Sequence, residues 1–151
     1  MEISLTKGAS EGPTKLNAFD NALLDAEIGN VNLIKVSSML PADVTVVPMP
    51  ELKPGEMTNC VLAHQYSDNP GDEISAVLAF ARAKEMGCVI ELTGINKTVD
   101  ELEEEARFMA EYMIEKRELE LLDYKSIIQT HTVKNKASVV AALIYHNPIR
   151  H

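Results

Sequence analysis

Apolar and polar positions change rhythm several times along the chain, and each change predicts an element. Ile3 to Thr6 alternate as a half-buried strand does, and Lys7-Gly8-Ala9-Ser10-Glu11-Gly12-Pro13 then reads as a loop from its glycines and proline. Phe19, Leu23 and Ile28, with Ala22 and Ala26, fall near helical spacing, and Gly29 stands where a C-terminal cap belongs. A helix is therefore predicted over residues 17–28. Val31 to Val36 is apolar and β-branched enough for a strand, and it runs directly into Ser37-Ser38-Met39-Leu40-Pro41. Strands are predicted at Val44 to Val47 and Cys60 to Tyr66, separated by Pro48-Met49-Pro50 and Lys53-Pro54-Gly55. Beyond the turn Ser67-Asp68-Asn69-Pro70-Gly71, the positions Ile74, Val77, Leu78 and Ala81 predict a helix ending at Gly87.

Val89 to Leu92 then reads as a short buried strand. Thr98-x-x-Glu101 is a capping box, in which hydroxyl and carboxylate each satisfy an orphan amide at a helix start. The helix it opens carries Leu102, Ala106, Met109 and Met113 on one face; its glutamates form the solvated opposite face rather than a metal site. Two strands, Leu119 to Thr132 and Ser138 to Tyr145, close the pattern. The tally is about seven strands and three helices, and the consecutive long strands at the end argue for an α+β class over a strict βαβ repeat.

Composition narrows the function classes. The 151 residues, 46% of them hydrophobic, suit one domain over 1–151 with a substantial core. A net charge of −9 disfavours nucleic acid and anionic membranes as partners and leans toward a cationic small molecule. Cys60 and Cys88 lack metal or redox spacing and are expected to be buried thiols. His64, His131, His146 and His151 form no ligand constellation, so they are read as structural or surface residues and no metal is expected. No run of apolar residues is long enough for a signal peptide or a membrane span, so the expected location is the cytoplasm.

The serine pair carries the chemistry. Serine pairs usually do no more than hydrogen-bond locally in turns. This one closes an apolar strand, has Asn32 and Lys35 just upstream and Pro41 just downstream. In a strained backbone, the Ser38 hydroxyl can attack the carbonyl of Ser37 and shift the acyl group from nitrogen to oxygen. β-Elimination then releases the Ser37 carboxylate, and hydrolysis of the dehydroalanine left at position 38 gives a pyruvoyl group and ammonia. The products are residues 1–37 and 38–151. A terminal pyruvoyl forms a Schiff base with a substrate amine and accepts the electrons freed by decarboxylation, which is the work of PLP without bound PLP. Such a site also needs a proton donor and a group that recognises the far end of the substrate.

Leu16-Asn17-Ala18-Phe19-Asp20, the run Gly29-Asn30-Val31-Asn32-Leu33-Ile34-Lys35-Val36-Ser37-Ser38 and Leu40-Pro41 resemble the pyruvoyl-dependent arginine decarboxylases. The resemblance continues through Ser67-Asp68-x-Pro70-Gly71-x-x-Ile74-Ser75-Ala76, Val89-Ile90-Glu91 and His131-Thr132-Val133. It implies a self-processing enzyme that converts L-arginine to agmatine and CO₂ and serves polyamine synthesis. It also implies a layered αββα sandwich and a homotrimer, or a higher assembly, with active sites between subunits. Carried over to this chain, Ser38 is the pyruvoyl precursor, Ser37 the new C-terminus, Asn32 a helper in processing, Glu91 the proton donor and Asp20 the partner of the guanidinium. A carboxylate does suit a planar guanidinium, and burial at a strand end would keep Glu91 protonated. The chain departs from the family pattern at Leu92-Thr93-Gly94-Ile95-Asn96 and in the tail Asn147 to His151. Two other readings stand beside this one: the same chemistry on another amino acid, and a non-catalytic, uncleaved trimeric paralogue.

Overall fold

The computed structural model describes residues 1–146, so the tail Asn147 to His151 lies outside the described residues. The elements run β1 (Glu2–Glu11), α1 (Lys15–Asp25), β2 (Asn32–Lys35), β3 (Met39–Pro41), β4 (Thr45–Val46), β5 (Met57–Ser67), β6 (Glu73–Arg82), β7 (Met86–Ile95), α2 (Val99–Lys116), β8 (Asp123–Thr132) and β9 (Ala137–His146). One sheet has the order β2-β5-β9-β1-β4 and the other β3-β7-β6-β8. Apolar side chains of both sheets, among them Ile3, Val61, Leu78, Phe80, Val89, Val139 and Leu143, fill the layer between them. Ala22, Ala26 and Ile28 join α1 to the outer face of the first sheet through Leu62, Val140 and Ala142. Leu102, Ala106, Ala110 and Ile114 seat α2 on the outer face of the second through Val77, Ala79 and Ile90. The result is the expected αββα sandwich of the α+β class.

Local signals explain the helices. Thr14 caps α1 by accepting from the Asn17 N–H at 3.1 Å, and Thr98 caps α2 by accepting from the Glu101 N–H at 3.1 Å. Where sequence and structure differ, burial on two faces is the usual reason. Residues 73–82 form strand β6 rather than a helix, because β6 lies between β7 and β8 with α2 on one face and the other sheet on the second. Such a strand is apolar at almost every position, and its periodicity cannot be told from that of a buried helix. Likewise β1 continues through the residues expected to form a loop. Gly8 is needed there because α1 lies so close that a Cβ would collide with the Ala22 carbonyl. The described residues thus hold nine strands and two helices.

Candidate active site

The serine pair lies where the chain leaves one sheet for the other. The Val36 N–H still donates to the Cys60 carbonyl of β5 at 2.9 Å, whereas the Ser38 carbonyl accepts from the Val89 N–H of β7 at 2.8 Å. The peptide bond between Ser37 and Ser38 is therefore held between two anchors on different sheets. Across it, the Met39 N–H donates to the Ser37 carbonyl at 3.2 Å, closing a three-residue turn centred on Ser38. Neither serine adopts a left-handed φ. The strain expected at this bond is absent from φ; the turn instead points a donor at the carbonyl that would be attacked.

Glu91 belongs to the same neighbourhood. It lies two residues beyond Val89 on β7, so side-chain alternation turns it to the inter-sheet side with Val89. There it lines a cleft of about 420 Å³ together with Lys35, Leu62, Ala63, His64, Leu92 and Thr93. The cleft exists because β2 pairs only with Met57 to Cys60, leaving the rest of that edge of β5 without a neighbouring strand. Glu91 sits within β7 rather than at its end, and it is exposed. The burial expected of it at a strand end is therefore not found.

One residue of this cleft, His64, carried no sequence signal of its own. His64 stacks on Phe19 of α1 with ring centroids 4.2 Å apart, and its Nε2 meets Ser138 Oγ at 3.2 Å. Burial first, then the charges of Lys35 and Lys15, pushes its pKa down to about 4, so the ring is neutral at ordinary pH. Buried Cys60 has its thiol pushed up to about 11 by burial, with the Lys35 ammonium opposing that shift and the Glu91 carboxylate adding to it. Cys60 and Cys88 are both buried and free, as expected. Phe19 and His64 lie far apart in sequence, so no spacing rule could have paired them.

The Val89 to Ser38 hydrogen bond sets the serine pair against β7, the strand that also carries Glu91, whereas Asp20 lies on α1 and Asn32 opens β2. Asp20 is exposed on α1 between Leu16 and Leu24, which are 73% and 47% exposed on the same helix face. Asn32 opens β2, where its Nδ2 donates to the Gly55 carbonyl at 3.0 Å. With roughly 3.3 Å of rise per residue, an extended chain carries the serine pair roughly 17 to 20 Å away from it. His131 Nε2 meets Glu11 Oε2 at 2.6 Å, and His146 Nε2 meets Ser4 Oγ at 2.7 Å, so both have structural partners; His151 is outside the described residues.

The family model for pyruvoyl-dependent arginine decarboxylase matches residues 2–148. A pyruvoyl-dependent arginine decarboxylase of Methanothermobacter thermautotrophicus is 47% identical over 145 residues, covering 96% of each chain. Those of Methanocaldococcus jannaschii and Pyrococcus horikoshii are 41% and 43% identical, covering 93% and 90% of this chain and 86% and 89% of theirs. A serine pair suspended between two sheets, tied to the strand that carries Glu91, is thus found in a chain that belongs to the pyruvoyl-dependent arginine decarboxylase family.

Proposed function

We propose that this chain cuts itself between Ser37 and Ser38 and, with the pyruvoyl group so formed, converts L-arginine to agmatine and CO₂ in the cytoplasm as a homotrimer. The observation that carries the reading is the hydrogen bond from the Met39 N–H to the Ser37 carbonyl at 3.2 Å. A donor on that oxygen stabilises the negative charge that develops when the Ser38 hydroxyl adds to the carbonyl carbon. The C–N bond then breaks, the nitrogen takes up a proton, and an ester joins Ser37 to Ser38 Oγ. Loss of the Ser38 α-proton expels the Ser37 carboxylate, and water completes the conversion with release of ammonia.

The surroundings fit a ketone at position 38, since the Val89 N–H holds the adjoining carbonyl and the neighbouring cleft presents Glu91. That ketone supplies a condensation partner for the substrate amine and a sink for the electron pair left by CO₂. Neither PLP nor a metal enters this reading, and among the described residues no His, Cys, Asp and Glu cluster could hold a metal ion. Glu91 donates the proton that replaces the lost carboxylate. Asp20 holds the guanidinium from the exposed surface of α1, in an arrangement in which one protomer presents Asp20 to the cleft of another. The exposed Leu16 and Leu24 around it and the unpaired edge of β5 suit such a contact. Asn32 assists processing only if a neighbouring protomer presents it to the serine pair.

Mass spectrometry tests the proposal directly. Under denaturing conditions the purified protein is expected as two chains, 1–37 and 38–151; a single chain of 16.6 kDa that never splits would overturn it. Under native conditions the two pieces are expected to stay together, because β1 pairs along its length with β9 and α1 packs on the same sheet. A second measurement addresses Asp20. Asp20→Asn is expected to split normally and to raise KM for arginine roughly 10- to 100-fold, the worth of a charge-assisted hydrogen bond. An unchanged KM would remove Asp20 from guanidinium recognition.

A further inference from the structure

We propose that Tyr145 is a positioning residue for self-cleavage, its hydroxyl holding Met39 so that the Met39 N–H stays on the Ser37 carbonyl. The inference rests on the proposed cut between Ser37 and Ser38. Tyr145 stands near the end of β9 and points into the layer between the sheets, as Leu143 does. From there its hydroxyl crosses to the second sheet and donates to the Met39 carbonyl at 2.7 Å.

The edge position of β3 makes this bond consequential. Hydrogen-bonding residues alternate along an antiparallel strand, and the Ser38 carbonyl bonds to β7. Met39 therefore turns its own N–H and C=O off the free edge, where no strand among the described residues receives them. The N–H goes to the Ser37 carbonyl and the C=O to Tyr145. Three successive carbonyls, at Ser37, Ser38 and Met39, thus each accept one hydrogen bond, from Met39, Val89 and Tyr145. A three-residue turn has a bent, weak hydrogen bond, and it is dependable only if the residue that donates it is prevented from rotating. Val89 restrains one side of Met39 and Tyr145 the other. Burial keeps the Tyr145 hydroxyl protonated, and nearby Cys60 adds to that effect, so it remains a donor at ordinary pH.

The test compares Tyr145→Phe with the wild-type chain by denaturing intact mass at intervals after synthesis. Loss of one hydrogen bond that orients a transition-state donor should slow splitting roughly tenfold. Hydroxylamine, which cleaves esters, should not restore the rate, because the ester itself forms slowly. Thermal unfolding of the uncleavable Ser38→Ala chain with and without Tyr145→Phe should give midpoints within about 4 °C, the shift expected from one such bond. Splitting of Tyr145→Phe at the wild-type rate would overturn the inference. So would rescue by hydroxylamine, which would put the effect on elimination, or a much larger fall in midpoint, which would make the residue a general stabiliser. A wild-type chain that is not cut at Ser37-Ser38 would defeat the underlying reading instead, and with it this one.

Discussion

Ser38→Ala is expected to remain one intact 16.6 kDa chain and to release no CO₂ from arginine at any protein concentration. The substitution removes the only atom able to attack the Ser37 carbonyl through a five-membered ring, and no ketone can form at position 38 without that attack. The fold has little reason to change. The Ser38 backbone carbonyl still accepts from Val89, the Met39 N–H still reaches Ser37, and the core of the two sheets involves neither serine side chain. Intact mass and CO₂ release check both halves of the statement. Splitting in the alanine variant would show that the nucleophile lies elsewhere, and residual turnover would show that a different group supplies the carbonyl.

Glu91→Gln is expected to separate the two reactions that Ser38→Ala abolishes together. Glutamine keeps the shape and the hydrogen-bonding reach of Glu91 but has no acidic proton to give. Self-cleavage, which draws on Ser38 and the Met39 N–H, should proceed. Decarboxylation at saturating arginine should fall by roughly 10² to 10⁴, the usual contribution of a positioned general acid. Measured against the fraction of chains split, normal turnover would remove Glu91 from the role of donor.

How much of this was legible before folding depended on how local the deciding interactions are. Helix α2 was evident from Thr98, Glu101 and the spacing of Leu102 and Ala106, because its cap and its apolar stripe lie within a few residues of each other. The strand that ends at the serine pair was equally plain, and so were the buried cysteines. Strand β6 was misread because Ile74, Val77, Leu78 and Ala81 are buried from two sides, which erases the alternation that marks a strand. The three-residue strand β3 was missed because its pairing with β7 lies 45 to 49 residues away, as in Met39 with Cys88.

By itself the sequence determined the candidate serine pair, its place just beyond a strand and the carboxylates proposed to serve it, since these depend on residue type and short spacing. Tertiary structure alone decided that the two sides of the Ser37-Ser38 bond are tied to different sheets and that one of those ties is to β7, the strand that carries Glu91. It also decided that Asn32 is turned to the Gly55 carbonyl, and that Tyr145, more than a hundred residues from Met39, reaches its carbonyl. The physical reason is that sheet register and side-chain face are set by pairings between distant segments, such as β1 with β9, and such pairings leave no periodic trace in the local sequence.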